Sequence, residues 1–205
     1  MNAKKQNKKE DPPDNIIGEV IRATSTEFET QCYELYDFPP LGSLVISDDE
    51  NPVFGIVSHS VTESLDPSRT PRPRGPGLEN VKSIYQESPQ LNNLLTSRFA
   101  SITVGYIQDQ SVVRRLPPVP PKILSLTRIC NESELNEFSS DFNFVPRLLN
   151  SGFASSDDVL ASFLNIAARL RSDPDQYLIE IGKEIASLLP GQMRRVNLIL
   201  RNASV

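Results

Sequence analysis

Arg69, Arg72 and Arg74 stand close together in Asp66-Pro67-Ser68-Arg69-Thr70-Pro71-Arg72-Pro73-Arg74-Gly75-Pro76-Gly77. A guanidinium is a planar fork of donors that matches a carboxylate or a phosphate. The prolines stiffen the backbone between the forks and exclude both helix and central strand. Three such groups on one stiff loop can grip a phosphate or the acids of a partner; the plainer reading is a solvated loop. Arg114-Arg115 and Arg194-Arg195 are two further cationic pairs, ordinarily surface residues. Arg69, Arg72, Arg74, Arg114 and Arg115 are the partner-binding candidates.

Other chemistry finds less to work with. His59 is the only histidine and the two cysteines are far apart, so no zinc ligand set forms. A hydrolase would show its serine in a turn such as G-x-S-x-G, which does not occur. Asp48-Asp49-Glu50 lacks the spaced ligands and central glycine of a calcium loop and reads as an exposed turn. His59 reads as a strand residue. No catalytic, cofactor-binding or metal residue is nominated, and no cofactor is expected.

The net charge of -5 is unevenly spread. Lys4, Lys5, Lys8 and Lys9 lie in residues 1–9, leaving 17 bases against 26 acids, or -9, in the remainder. An acidic body disfavours a broad nucleic-acid-binding face. The basic segment, residues 1–14, reads as a disordered, solvated tail able to touch nucleic acid, acidic lipid or an acidic partner. It has no apolar run behind it, so no export signal is expected, and no stretch is long and apolar enough to span a membrane. Cys32 and Cys130 form no C-x-x-C pair; reduced thiols in a cytoplasmic protein are the expectation.

These residues must be positioned by elements of two kinds. Ile16–Ile21 and Phe28–Leu35 read as strands joined through polar Thr24-Ser25-Thr26, and Pro39-Pro40 closes the second. Ser43–Ile46 and Val53–Val61 read as a second strand pair around the turn formers 47–52. A helix is expected around Ser88–Thr96, with Ser88 as cap and Pro89 at its first position. Strands resume at Phe99–Tyr106 and at Lys122–Ile129. Between them, Leu116-Pro117-Pro118-Val119-Pro120-Pro121 favours polyproline II, as a spacer or as a ligand for an aromatic groove. Beyond Cys130 the period becomes helical. Ser155 or Ser156 caps a helix striped by Val159, Phe163, Ile166 and Leu170, and Asp173-Pro174 opens a second striped by Leu178, Ile181, Ile185 and Leu188. Pro190-Gly191 stops that one, and Gln192–Asn202 reads as a third.

Ile17-Gly18-Glu19-Val20, Ala23–Phe28, Leu41-Gly42-Ser43-Leu44-Val45 and Phe54-Gly55-Ile56-Val57 resemble the HAS barrel. That small β-barrel is shared by HerA-type ATPases and the catalytic subunits of rotary ATP synthases. The glycines would sit where strands bend or cross, and Leu116–Pro121 with Lys122 resembles the proline-rich segment that follows the barrel in HerA-type proteins. The whole chain is similar to small stand-alone HAS-barrel proteins of photosynthetic bacteria. The ATPases carry G-x-x-x-x-G-K-[ST] after the barrel; here the only Gly-Lys pair, Gly182-Lys183, precedes Glu184 within a helical pattern. The resemblance implies an α+β protein: a small closed β-barrel of about six strands over residues 15–130, with a Pro/Arg-rich and helical insertion at 66–98, then a helical region at 131–205. It implies a non-enzymatic interaction or assembly module that docks on a larger complex, including one that contains an ATPase. The alternative is a nucleic-acid-binding accessory protein using the lysine tail and the arginine-rich loop.

Overall fold

The computed structural model describes residues 16–73 and 80–204. The expected tail, 1–14, and Arg74 therefore lie outside the described residues. Strand β1 (Ile16–Ala23) and strand β2 (Glu27–Cys32) form the first hairpin. Its turn is closed by Thr24, whose Oγ1 accepts from Glu27 N at 3.1 Å and donates to Glu27 O at 3.1 Å. β2 stops at Cys32 rather than Leu35, and the chain turns away through Tyr36, which has a left-handed φ of 68°. β3 (Leu44–Asp48) and β4 (Val53–Ser64) follow, antiparallel around the acidic turn.

The helix expected around Ser88–Thr96 is displaced. Helix α1 (Val81–Glu87) precedes it, capped by Asn80, whose Oδ1 accepts from Ser83 N at 3.0 Å. Ser88 is the residue after its last turn, not a leading cap, and donates its N–H to Ile84 O at 2.9 Å. Only one turn, α2 (Leu91–Leu94), falls within the expected range. β5 (Leu95–Gln108) is longer than expected, and β6 (Ser111–Val113) is a strand that the sequence pattern does not announce. It exists because Asp109 and Gln110 both adopt positive φ, the geometry of a two-residue hairpin turn. β7 (Leu126–Ile129) is shorter than the expected Lys122–Ile129, since Leu124 has φ 69° and cannot continue a ladder.

Among the described residues the chain is α+β, with seven strands in one antiparallel sheet and seven helices. The order is β2-β1-β7-β3-β4-β5-β6, and β2 also pairs with β5. Every strand but β6 thus has ladder partners on both sides. Gly18 sits where the β1–β7 register shifts. A Cβ there would lie 1.9 Å from Gln31 O, so only glycine lets β1 and β2 approach this closely.

Five helices follow: α3 (Glu132–Phe138), α4 (Val145–Leu149), α5 (Ser156–Ala168), α6 (Pro174–Leu188) and α7 (Met193–Ala203). α3 opens on a capping box, Asn131 with Glu134, and α6 on Asp173, whose Oδ1 accepts from Gln176 N at 3.0 Å. Ser155 precedes α5 but makes no side-chain cap bond.

The apolar residues divide into two cores. One gathers Ile17, Val20, Phe28, Val45, Val53, Val57 and Phe99 from the strands alone. In the other, Leu44, Ile46, Phe54, Ile56, Ile102 and Val104 meet Phe138, Phe144, Phe163, Ile181 and Val196 of the helical region. Alternate residues of β3 enter different cores, which is why Leu44–Ile46 reads as an unbroken apolar run. The helices therefore pack on the sheet. Gly42, with φ 81°, marks how tightly: a Cβ there would be 2.5 Å from Phe163 N in α5. One charged clamp joins the sheet to the helices and another joins two of the helices. Arg128 of β7 reaches Glu134 of α3 through two bonds of 2.8 and 2.7 Å, and Arg195 of α7 reaches Asp157 of α5 at 2.8 and 2.7 Å.

Candidate docking surface

Past Ser64, β4 leaves the sheet and the chain folds back along α2. Leu65 N donates to Leu94 O at 2.8 Å, which pins the start of the arginine loop to that helical turn. The next turn is built by Asp66. Its Oδ1 accepts from Ser68 N at 3.0 Å and from Ser68 Oγ at 2.7 Å, and Arg69 Nε lies 3.1 Å from its Oδ2. The Ser68 hydroxyl, then the Ser68 amide, hold the Asp66 carboxyl below the ordinary carboxylate range.

Between this loop and α2 runs a groove of about 780 Å³. Leu65, Leu91, Leu94 and Leu95 supply apolar wall, and Pro71 and Pro73 stiffen the opposite side. Arg69 and Arg72 both line it. Arg69 already shares its charge with Asp66, so Arg72 supplies the groove's uncompensated cation among the described residues. An apolar floor beside a guanidinium suits an extended segment that offers both a hydrophobic side chain and a carboxylate.

The remaining arginine candidates are elsewhere. Arg114 donates from Nε to Phe138 O at 2.7 Å and from its terminal nitrogen to Glu137 O at 2.5 Å, with its guanidinium 5.5 Å from the centre of the Phe138 ring. It satisfies carbonyls at the end of α3 that the helix itself leaves open. Arg115 donates to the Tyr106 hydroxyl at 3.3 Å. The structure brings Arg69 and Arg72 together, and places Arg114 and Arg115 at the other end of β5.

The other chemical residues have ordinary neighbours. His59 stands exposed on β4 where the β4–β5 register shifts, beside a cavity of about 340 Å³ that Glu27, Glu29, Phe28 and Phe153 also line. In the acidic turn, Lys122 Nζ lies 2.9 Å from Glu50 and 3.5 Å from Asp49, and Ser125 Oγ donates to Asp49 Oδ2 at 3.1 Å. Cys32 and Cys130 are free and buried; burial pushes the Cys32 thiol up to about 11 and raises that of Cys130 further. Gly182 lies within α6, where a Cβ would meet Leu200 Cδ1 at 2.8 Å, so it serves the approach of α7. No described helix is long and apolar enough to cross a membrane.

A second cleft, of about 330 Å³, has Asn92 of α2 in its wall. Tyr33, Tyr36 and Tyr85 line it with Glu34 and Asn92. Tyr36 and Tyr85 meet edge to face, with ring centres 6.3 Å apart, and their hydroxyls are hydrogen bonded. Tyr33 donates to Glu19 Oε1 at 2.7 Å. Burial, then the Glu19 contact, pushes the Tyr33 phenol up to about 12, and burial beside Tyr36 does the same for Tyr85. Both stay protonated donors near neutral pH. Sequence patterning does not single out these tyrosines; the signal it holds is the Tyr33, Tyr36 spacing before Pro39-Pro40, with Tyr85 brought in only by folding.

No protein-family model matches the chain, and no curated protein matches it.

Proposed function

We propose that the chain is a non-catalytic interaction and assembly module: a HAS-like closed barrel carrying a helical cap, which docks on a larger complex through the insertion between β4 and β5. The barrel reading is supported by the ladders, since β2, β1, β7, β3, β4 and β5 pair in turn and β5 pairs back to β2. In a closed sheet no long edge is left to recruit strands indiscriminately, and specific contacts fall to the loops and insertions. The observation that carries the docking role is the groove in which Arg69 and Arg72 lie above leucine side chains. Its occupant, on this reading, is an extended acidic segment of a protein partner.

The test is a double charge reversal, Arg69→Glu with Arg72→Glu, in the full chain. Both residues are exposed, so folding stability should change by no more than about 0.5 kcal/mol. Wild-type protein isolated from native extract should retain a stoichiometric protein that the double variant loses. A partner retained equally by both, or none with either, would sink the groove assignment. A single-stranded oligonucleotide bound at low salt, and released steeply as salt rises, would favour the nucleic-acid alternative instead.

A further inference from the structure

The arginine loop presents a hydroxyl that the fold leaves unused. We propose that Thr70 is a phosphorylation site, and that its phosphate pairs with Arg72 and shuts the groove to acidic segments; the second half rests on the docking role proposed above.

The two hydroxyls of the loop differ in their surroundings. Ser68 is taken up in the turn, its Oγ donating to Asp66 Oδ1 at 2.7 Å. Thr70 is exposed, lines the groove, and has no hydrogen-bond partner among the described residues. Its backbone is equally free. Arg69 N, which donates to Asp66 O at 3.0 Å, is the last amide of residues 65–73 bonded to the described backbone, and residues 69–73 belong to no helix or strand. A protein kinase takes its acceptor as an extended segment laid in an open cleft, and laying this one there breaks no internal ladder.

Pro71 narrows the class of enzyme. It has no N–H, so a kinase that must hydrogen-bond the amide after the acceptor is excluded, and one with an apolar pocket for the ring is favoured. Thr70 precedes Pro71 and Arg72 precedes Pro73, and a following proline holds each backbone extended. Alternate residues of an extended segment share a side, which agrees with Thr70 and Arg72 both lining the groove. Ser88-Pro89 carries the same chemistry later in the chain but lacks the access: Ser88 is buried and its amide is bonded into the end of α1.

The donor is a nucleoside triphosphate. The bond from its γ-phosphorus to the β-phosphate oxygen breaks, and the electron pair leaves on the nucleoside diphosphate. The bond from Thr70 Oγ1 to phosphorus forms, and the hydroxyl proton passes to the kinase's catalytic carboxylate. A phosphothreonine carries about -1.5 to -2 at neutral pH, whereas the charged lining of the groove is Asp66, Arg69 and Arg72. Phosphate therefore turns a lining with an excess of positive charge into an acidic one. Arg69 is engaged by Asp66, so Arg72 is the guanidinium left to pair with the phosphate. An acidic segment then meets like charge and an occupied guanidinium.

The experiment uses the full chain. Protein isolated from native extract under phosphatase inhibition should carry phosphate on Thr70 when its peptides are mapped by mass spectrometry. A purified proline-directed serine/threonine kinase with ATP should place it there, and should fail on Thr70→Val and on Pro71→Ala; circular dichroism checks that each variant keeps its fold. Phosphorus NMR follows the added group. Its second pKa, ordinarily about 6, should fall by about half a pH unit or more beside a guanidinium, and Arg72→Gln should return it. Binding of a short fluorescent peptide that alternates glutamate with leucine should weaken about tenfold or more on phosphorylation. Thr70 unmodified in the native protein, a kinase that modifies Thr70→Val as readily as the wild type, an unshifted phosphate, or peptide binding undiminished by phosphorylation would each overturn the proposal. Unmodified protein that ignores the peptide would instead sink the groove assignment, while the peptide mapping and the phosphorus titration, which need no partner, still decide where the phosphate sits and what it pairs with.

Discussion

Phe138→Ala tests whether sheet and helices share one core. The Phe138 side chain is fully buried at the end of α3. Its ring centre lies 5.1 Å from that of Phe54 in β4, 5.4 Å from Phe144 and 6.4 Å from Phe163 in α5. Arg114 stacks over it from the β6 side. Truncating a buried phenylalanine costs about 3–5 kcal/mol, the higher values arising where the walls cannot collapse into the space. Here the walls belong to a strand and to helices held by separate clamps, so about 4 kcal/mol is expected. With a urea m-value of about 2–3 kcal/mol per molar, the unfolding midpoint should fall by about 1.5 M. Circular dichroism at 222 nm follows the helices, and amide hydrogen exchange follows the strands. Both should show one coincident transition in the wild type and the same drop in the variant. A loss below about 1 kcal/mol, or strand amides that keep their protection while the helices melt, would refute the shared core.

Three further outcomes are expected. Glu134→Gln weakens the Arg128 clamp and the bond that the Glu134 carboxylate accepts from Asn131 N in the α3 capping box, costing about 1–2 kcal/mol near neutral pH. The Arg128 hydrogen bonds, foremost, lower the Glu134 pKa below its ordinary 4.5, so this stability is present above that value and lost as pH falls through the folded one. Urea midpoints of variant and wild type should accordingly converge in acid, and a gap independent of pH would count against the clamp. Thr30 and Thr127 share a buried hydroxyl contact of 3.0 Å. Thr30→Val alone should cost about 1–2 kcal/mol by stranding its partner, while Thr30→Val with Thr127→Val should return most of that; additive losses in the double-mutant cycle would contradict the pairing. Finally, both thiols should resist a thiol reagent in the native state and react fully once denatured, since burial keeps Cys32 and Cys130 protonated. Rapid labelling of the folded protein would show that one of them is accessible.

The parts of the fold legible in the sequence share a local cause. Alternation marks β2, apolar runs mark β3 and the start of β4, and a period near 3.6 marks α5 and α6, because each pattern records which sides of an element are buried. Shorter elements leave no such mark. β6 has three residues and a turn without glycine, and α4 has five residues. α3 does carry a local signal, Asn131 followed three residues later by Glu134, which is the spacing of a capping box. Ser88-Pro89 resembles a helix start because the same residue types serve at both ends of a helix, and only the neighbouring turns decide which.

The arginines divide for a similar reason. Their chemistry is evident from residue type, but a guanidinium can satisfy a helix end or face solvent with the same local sequence. Folding buries most of Arg114, leaving its side chain 12% exposed against the end of α3, while Arg69 and Arg72 stay on a groove wall. The sequence alone determines the α+β character, the acidic body and a rigid proline turn between cationic flanks, since each depends on composition or on a few adjacent residues. Only tertiary structure decides that β7 lies between β1 and β3, that the helices cover one face of the sheet, and that three tyrosines from two distant segments line one cleft. Periodicity states that a surface will be covered; the identity of its cover is set by shape and by hydrogen-bond partners far along the chain, which no local pattern contains.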